Sequence, residues 1–205
     1  MVFVDDLAIE LFAMSLVGVV SIYMTGAAFL NYRRNGTKDI EEVLKPGVFP
    51  LGILGLFLLI MGFYGEMVWP LPGSYNILFG DPLVLLGIVI VSIAIALGLK
   101  QKLQYVGVLA FFSGLVAIYY GANAYLQGLT NEPLVMFGMY IAFGLTGVFT
   151  LPATMIYDLF PSRKGEPSAV WTLLLVIFWI GLIVSSFLAA FIATSAVPQH
   201  LISPP

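Results

Sequence analysis

The sequence predicts an all-α polytopic membrane bundle of six transmembrane helices, with both termini outside. Three observations predict it. Of 205 residues, 60% are hydrophobic and only 9% are charged, where an ordinary soluble domain carries roughly 25% charged residues. Apolar runs of about twenty residues, enough to cross a hydrocarbon core about 30 Å thick, recur along the whole chain. Finally, every basic residue falls in alternate connections between those runs. The mean hydropathy of +1.04 agrees with this class. Together these observations exclude a soluble enzyme, a nucleic-acid binder and a secreted disulfide scaffold.

The first span covers residues 7–30. It follows Asp5 and Asp6 with no basic residue before it, so it lacks the positive start of a cleavable signal and is expected to remain in the mature protein. Its Gly18, Ser21 and Thr25 share one face. The second span, 48–69, is lined by Gly52, Gly55, Gly62 and Gly65. Next comes Trp69–Pro82, apolar and aromatic but broken by three prolines and two glycines, and expected to be irregular. It reads as an interfacial turn whose Trp69, Tyr75 and Phe79 anchor in headgroups, or as a lid over an outer mouth. Glu66, Trp69, Tyr75, Asn76, Asp81 and Glu132 are the candidates for that mouth.

The third span, 83–99, is short, and Asp81-Pro82 is expected to start it: a carboxylate caps free N–H groups and proline suits the first helical position. The fourth span is 103–126. The fifth, 134–160, is long enough to tilt or kink at Pro152, which cannot donate to the Val148 carbonyl. Thr146, Thr150, Thr154 and Tyr157 fall at i, i+4, i+8 and i+11 and share one face. With Ser21 and Thr25 they are the candidates for lining a hydroxyl path, although such faces also serve helix packing. The sixth span is 170–194. Residues 1–205 are read as one transmembrane domain with a possible hairpin repeat, 48–99 against 103–160. In that repeat Tyr64-Gly65 matches Tyr120-Gly121, and Asp81-Pro82-Leu83-Val84 with Gly87 matches Glu132-Pro133-Leu134-Val135 with Gly138.

Charge fixes the expected orientation. Arg33, Arg34, Lys38, Lys45, Lys100, Lys102, Arg163 and Lys164 all lie in the first, third and fifth loops. The positive-inside rule then puts both termini on the extracytoplasmic side of the cell membrane. Asp5, Asp6, Glu10, Glu66, Asp81 and Glu132 fall outside, and Asp158 falls near the inner end of the fifth span. No ionisable residue falls near the midplane, which argues against a proton-coupled pump. With no cysteine and one histidine, His200, iron–sulfur and bis-histidine haem chemistry are excluded within one chain. The outer acids with His200 form no metal-site spacing, so no cofactor or metal is expected. No nucleotide-binding or hydrolase motif is present.

The stretch Gly62-Phe63-Tyr64-Gly65 through Trp69 to Pro82 resembles the signature of a prokaryotic, mostly archaeal, family of six-span proteins of unassigned function. In layout the chain is also similar to the acid-gated urea and amide channels, which are six-span proteins with both termini outside that assemble as hexamers. Their tryptophan-rich pore motifs have no counterpart around Trp69, Trp171 and Trp179, so this similarity implies function by analogy only. The expected function is a non-enzymatic channel or facilitator for a small, largely neutral solute, in a lipid bilayer and as a homo-oligomer. The alternative is an accessory subunit of a larger, for example respiratory, membrane complex.

Overall fold

A computed structural model describes residues 6–35, 40–71, 73–130, 132–162 and 167–202. Asp5, Lys38, Asp39, Pro72, Arg163 and Lys164 lie outside the described residues, as do the side chains of Asp6, Glu41 and His200.

The chain is all-helical. Its elements are α1 (Asp6–Asn35), a short α2 (Ile40–Leu44) running into a 3-10 turn (Lys45–Gly47), α3 (Val48–Val68), α4 (Tyr75–Gly98), α5 (Gln104–Leu126), α6 (Pro133–Leu159) and α7 (Ala169–Ile202). Among the described residues, six helices are long and apolar enough to cross a membrane: all of these except α2, with α3 extended backward through it. Large apolar side chains such as Leu16, Tyr23, Phe49, Met67 and Phe187 point outward. That is costly in water and expected in lipid, where nothing drives them inward.

Two expectations are corrected. The third membrane helix is not short and does not begin at Asp81-Pro82. Helix α4 begins at Tyr75 and runs unbroken through Gly80 and Pro82. Asp81 is therefore an interior residue of α4 rather than its cap, and half of the expected irregular loop is helix. The physical reason is a bond from elsewhere in the chain. Pro82 has no N–H for the Leu78 carbonyl, which leaves an acceptor that is costly to bury unpaired in hydrocarbon. The buried Tyr140 hydroxyl of α6 donates to that carbonyl, so α4 passes through the proline. The true irregular segment is Trp69–Ser74, with Trp69 in the left-handed region at φ 54° closing α3.

The main contacts run α1–α3, α3–α4, α4–α5, α5–α6, α6–α7 and α7–α1. The six long helices thus form a closed ring in chain order. The hairpins α3–α4 and α5–α6 are its tightest pairs, and glycine makes them so. A Cβ on Gly87 would meet the Leu59 backbone at 2.6 Å, and one on Gly147 would meet the Ala110 carbonyl at 2.8 Å. At one end of the ring lie the start of α1 and the α3–α4 and α5–α6 turns, with Glu10, Glu66, Asp81 and Glu132; this is the acidic end. At the other lie Arg33, Arg34, Lys45, Lys100 and Lys102; this is the basic end. There Asp158 accepts the backbone N–H groups of Leu103 and Gln104 at 2.9 and 2.8 Å. A carboxylate from the end of α6 thereby caps α5, a placement favoured by the helix dipole.

Candidate functional site

Within the ring runs an elongated, partly open chamber of about 140 Å³, walled by α1, α4, α5, α6 and α7. Apolar positions dominate the wall because each helix turns leucine, methionine, phenylalanine or small residues toward it, including Met14, Leu86, Phe143 and Phe178. Its polar groups are few: Glu10, Ser21, Ser113, Tyr140, Thr146, Thr150 and Ser185. Most of these spend their donors within the protein. Thr146 donates to the Ala142 carbonyl at 2.7 Å, Thr150 to that of Thr146 at 2.8 Å and Ser185 to that of Leu182 at 3.2 Å, while Tyr140 serves Leu78. Such back-bonding satisfies a hydroxyl where water is absent. It leaves oxygen lone pairs as what these side chains can offer an occupant.

The hydroxyl-face candidates separate into three groups. Thr146, Thr150 and Ser21 line the chamber. Thr154 sits against α5, where a Cβ on Gly107 would collide with its Oγ1, and its hydroxyl donates to the Leu151 carbonyl at 2.8 Å; its surroundings are those of a helix contact. Thr25 and Tyr157 meet one turn beyond the chamber toward the basic end. The Tyr157 hydroxyl donates to the Thr25 carbonyl at 2.6 Å, and the Trp179 indole donates to Thr25 Oγ1 at 3.0 Å. Thr25 Oγ1 in turn donates to the Ser21 carbonyl at 2.5 Å. Helices α1, α6 and α7 are thereby tied at one residue.

Below this latch the ring is filled by aromatics. Phe160 is fully buried. Tyr32 stacks on it at 4.2 Å between centroids and Tyr157 meets it edge-on at 5.4 Å, while Trp171 lies at 6.1 Å. Phe29 packs edge-on against Trp179 at 5.3 Å. An aromatic cluster therefore fills the ring on the basic-end side of the chamber. Sequence reasoning missed this cluster. Its signal was the i, i+3 pair Phe29 and Tyr32 at the end of the first span, facing a terminal Phe160 and two tryptophans on the last span.

At the acidic end the mouth candidates are brought together only in part. Asp81 accepts a hydrogen bond from the Tyr120 hydroxyl. Glu66 lies against Gly80 and beside Asp81, with its Oε1 buried and without a hydrogen bond. Tyr120 is an addition to the expected set. Asn76 is fully buried: its Oδ1 accepts the Leu71 N–H at 2.9 Å and its amide donates to the Leu71 carbonyl, so it staples the α3–α4 turn. Tyr75 stacks on Phe79 at 6.0 Å. Trp69 is half exposed. Glu132 stands at the N-cap of α6 but makes no side-chain cap bond. Among the described residues, no three acidic or histidine side chains are grouped to hold a metal ion.

Comparison with protein families gives one match, over residues 1–203, to a family described as a protein of unknown function (DUF981). No curated protein and no solved structure matches.

Proposed function

Because the chain belongs to the DUF981 family, for which no activity is given, we propose from the chamber that it is a channel or facilitator for a small, largely neutral solute. The observation that carries this reading is the chamber itself. A room of about 140 Å³ within a six-helix ring, with a mostly uncharged wall, is an expensive feature to leave in a bundle whose helix pairs otherwise touch backbone to backbone. In this reading Ser21, Thr146 and Thr150 line the upper path. The Thr25–Tyr157–Trp179 latch and the aromatic cluster are a closed gate, and Asp81, Tyr120 and Glu66 rim the entrance. The chain works without catalysis, as a homo-oligomer in the cell membrane. Both termini lie on the extracytoplasmic side, a placement supported by the basic residues gathered at the opposite end of the ring.

Proteoliposome flux tests the reading. Wild-type vesicles are expected to pass at least one of urea, acetamide, glycerol or a protonated short acid faster than empty vesicles. The Tyr157→Phe/Trp179→Phe double variant, which unties α6 and α7 from Thr25, is expected to raise that flux several-fold. If neither protein exceeds empty vesicles for any solute, the facilitator reading falls. Co-purification of cofactor-bearing subunits after gentle solubilisation would then favour the accessory role.

A further inference from the structure

We propose that the chamber holds the single hydrocarbon chain of a membrane amphiphile whose head is uncharged or cationic. The head lies at the acidic end and the tail runs toward Phe178. This site stands whether or not a solute passes through it. Three observations carry it, of which the first is shape. Helix α1 lines the chamber from Leu7 to Ser21 and α4 lines it from Phe79 to Ile93. At 1.5 Å per residue, each stretch is about 20 Å long. The hydrocarbon of one leaflet is about 15 Å deep, half of a core of about 30 Å, so the chamber can take an extended tail. Its volume of about 140 Å³, spread along that length, describes a passage one methylene chain wide. A compact solute would occupy only a short stretch of it.

The second observation is the wall. Thr146, Thr150, Ser185 and Tyr140 have spent their donors on backbone carbonyls. A solute with many polar groups would leave several of them unmatched along such a wall, at a cost for each. A hydrocarbon chain brings none. A chain that comes from lipid gains nothing hydrophobic on entering, because lipid tails are as apolar as leucine. Its gain is contact: wall atoms that face a gap lack dispersion partners, and a flexible chain following the passage supplies them. Met14 and Met139 line the passage, and their unbranched side chains adjust to what lies beside them.

The third observation is the difference between the two ends. Toward the basic end, Phe178 lines the chamber. Beyond it stand Trp179, bonded to Thr25, and Phe29 packed edge-on against that indole. A tail stops there. At the other end stand Glu10, Glu66, Asp81 and Glu132, and among the described side chains there is no base to oppose them. A field of one sign repels a carboxylate, sulfate or phosphate head and admits a hydroxyl or an ammonium.

The test uses bromine at a chain terminus, which quenches tryptophan at short range, and the full chain in lipid nanodiscs. Trp69→Phe and Trp171→Phe leave Trp179 as the one fluorescent indole of three. Added ω-bromohexadecanol is expected to quench Trp179 saturably, above the linear background from bulk lipid. The short ω-bromohexanol, which does not reach Trp179 from the acidic end, should give that background alone. Unlabelled hexadecanol and hexadecylamine should relieve the quenching, and hexadecyl sulfate should need at least threefold more to do so. Ser113→Phe and, independently, Ala117→Phe narrow the passage from α5 and should remove the saturable part, with unchanged Trp179 emission reporting on folding. The assignment is overturned by any of four results: no saturable quenching with the passage intact, equal saturable quenching by ω-bromohexanol, displacement by hexadecyl sulfate as strong as by hexadecanol, or full saturable quenching in both narrowed variants. Occupancy and flux fail separately. Chain binding without accelerated solute flux removes only the facilitator reading, and solute flux without chain binding removes only this occupant.

Discussion

Pro82 shows how one side chain decides the fate of another residue's backbone. In water a proline at the eighth position of a helix would cost about 3 kcal/mol or more and end it. Here the carbonyl it orphans, on Leu78, is reached by the Tyr140 hydroxyl from a helix far along the chain. Removing that hydroxyl leaves a buried acceptor unpaired, which costs about 1–3 kcal/mol. Tyr140→Phe is therefore expected to lower Tm by several degrees in detergent, while Tyr64→Phe, on an exposed ring, should leave it unchanged. An unaltered Tm in Tyr140→Phe would show that the carbonyl has another partner. This bond also explains the misread helix start. Asp81-Pro82 carries every local mark of an N-terminus, and only a tyrosine in another span says otherwise. Local signals were reliable where the chain answers to its own neighbours, as for the helix start at Pro133. They failed where a long-range donor intervened.

Among the elements, the α5–α6 pair is set by glycine. A Cβ on Gly114 would run into the Gly144 carbonyl and lie 2.9 Å from the Val148 nitrogen. Backbone cannot move aside as a side chain can, so Gly114→Val should cost at least the roughly 1–3 kcal/mol typical of overpacking. Gly138→Val is the control, since a Cβ there meets nothing within 4 Å, and its Tm should stay near the wild type's. Equal losses in both variants would mean that the close approach is not what holds the pair. The contrast also bears on the hairpin similarity. Gly87 and Gly138 are its matched glycines, yet the first is pressed against the Leu59 backbone and the second is open. Asp81 is interior to α4 while Glu132 precedes α6. The matching residues thus do different work in the two hairpins. The spans themselves were legible because length and hydropathy are local sums. The faces were not, because in lipid a glycine stripe and a solute path obey the same periodicity. Only the neighbour that each face meets separates Thr150 from Thr154.

For the whole molecule, the charges were the most legible feature, since sorting them needs only the order of the spans. They predict a side for each end of the ring. The chain has no cysteine, so a single introduced one reports its own location. A membrane-impermeant maleimide on intact cells is expected to label Ser74→Cys at the acidic end and to spare Lys100→Cys at the basic end. The reverse pattern would invert the assignment. The chamber was not legible, because it belongs to no single helix and arises only when the ring closes. That closure has a consequence for biogenesis. Each helix packs mainly on its sequence neighbours, except where α7 returns to α1. During synthesis the early hairpins can pair as they enter the bilayer, but α1 must wait for the last helix before its Gly18 meets Ser186 and its Thr25 meets Trp179. Until then, lipid has access to the future interior, and the nascent protein has walls but no room.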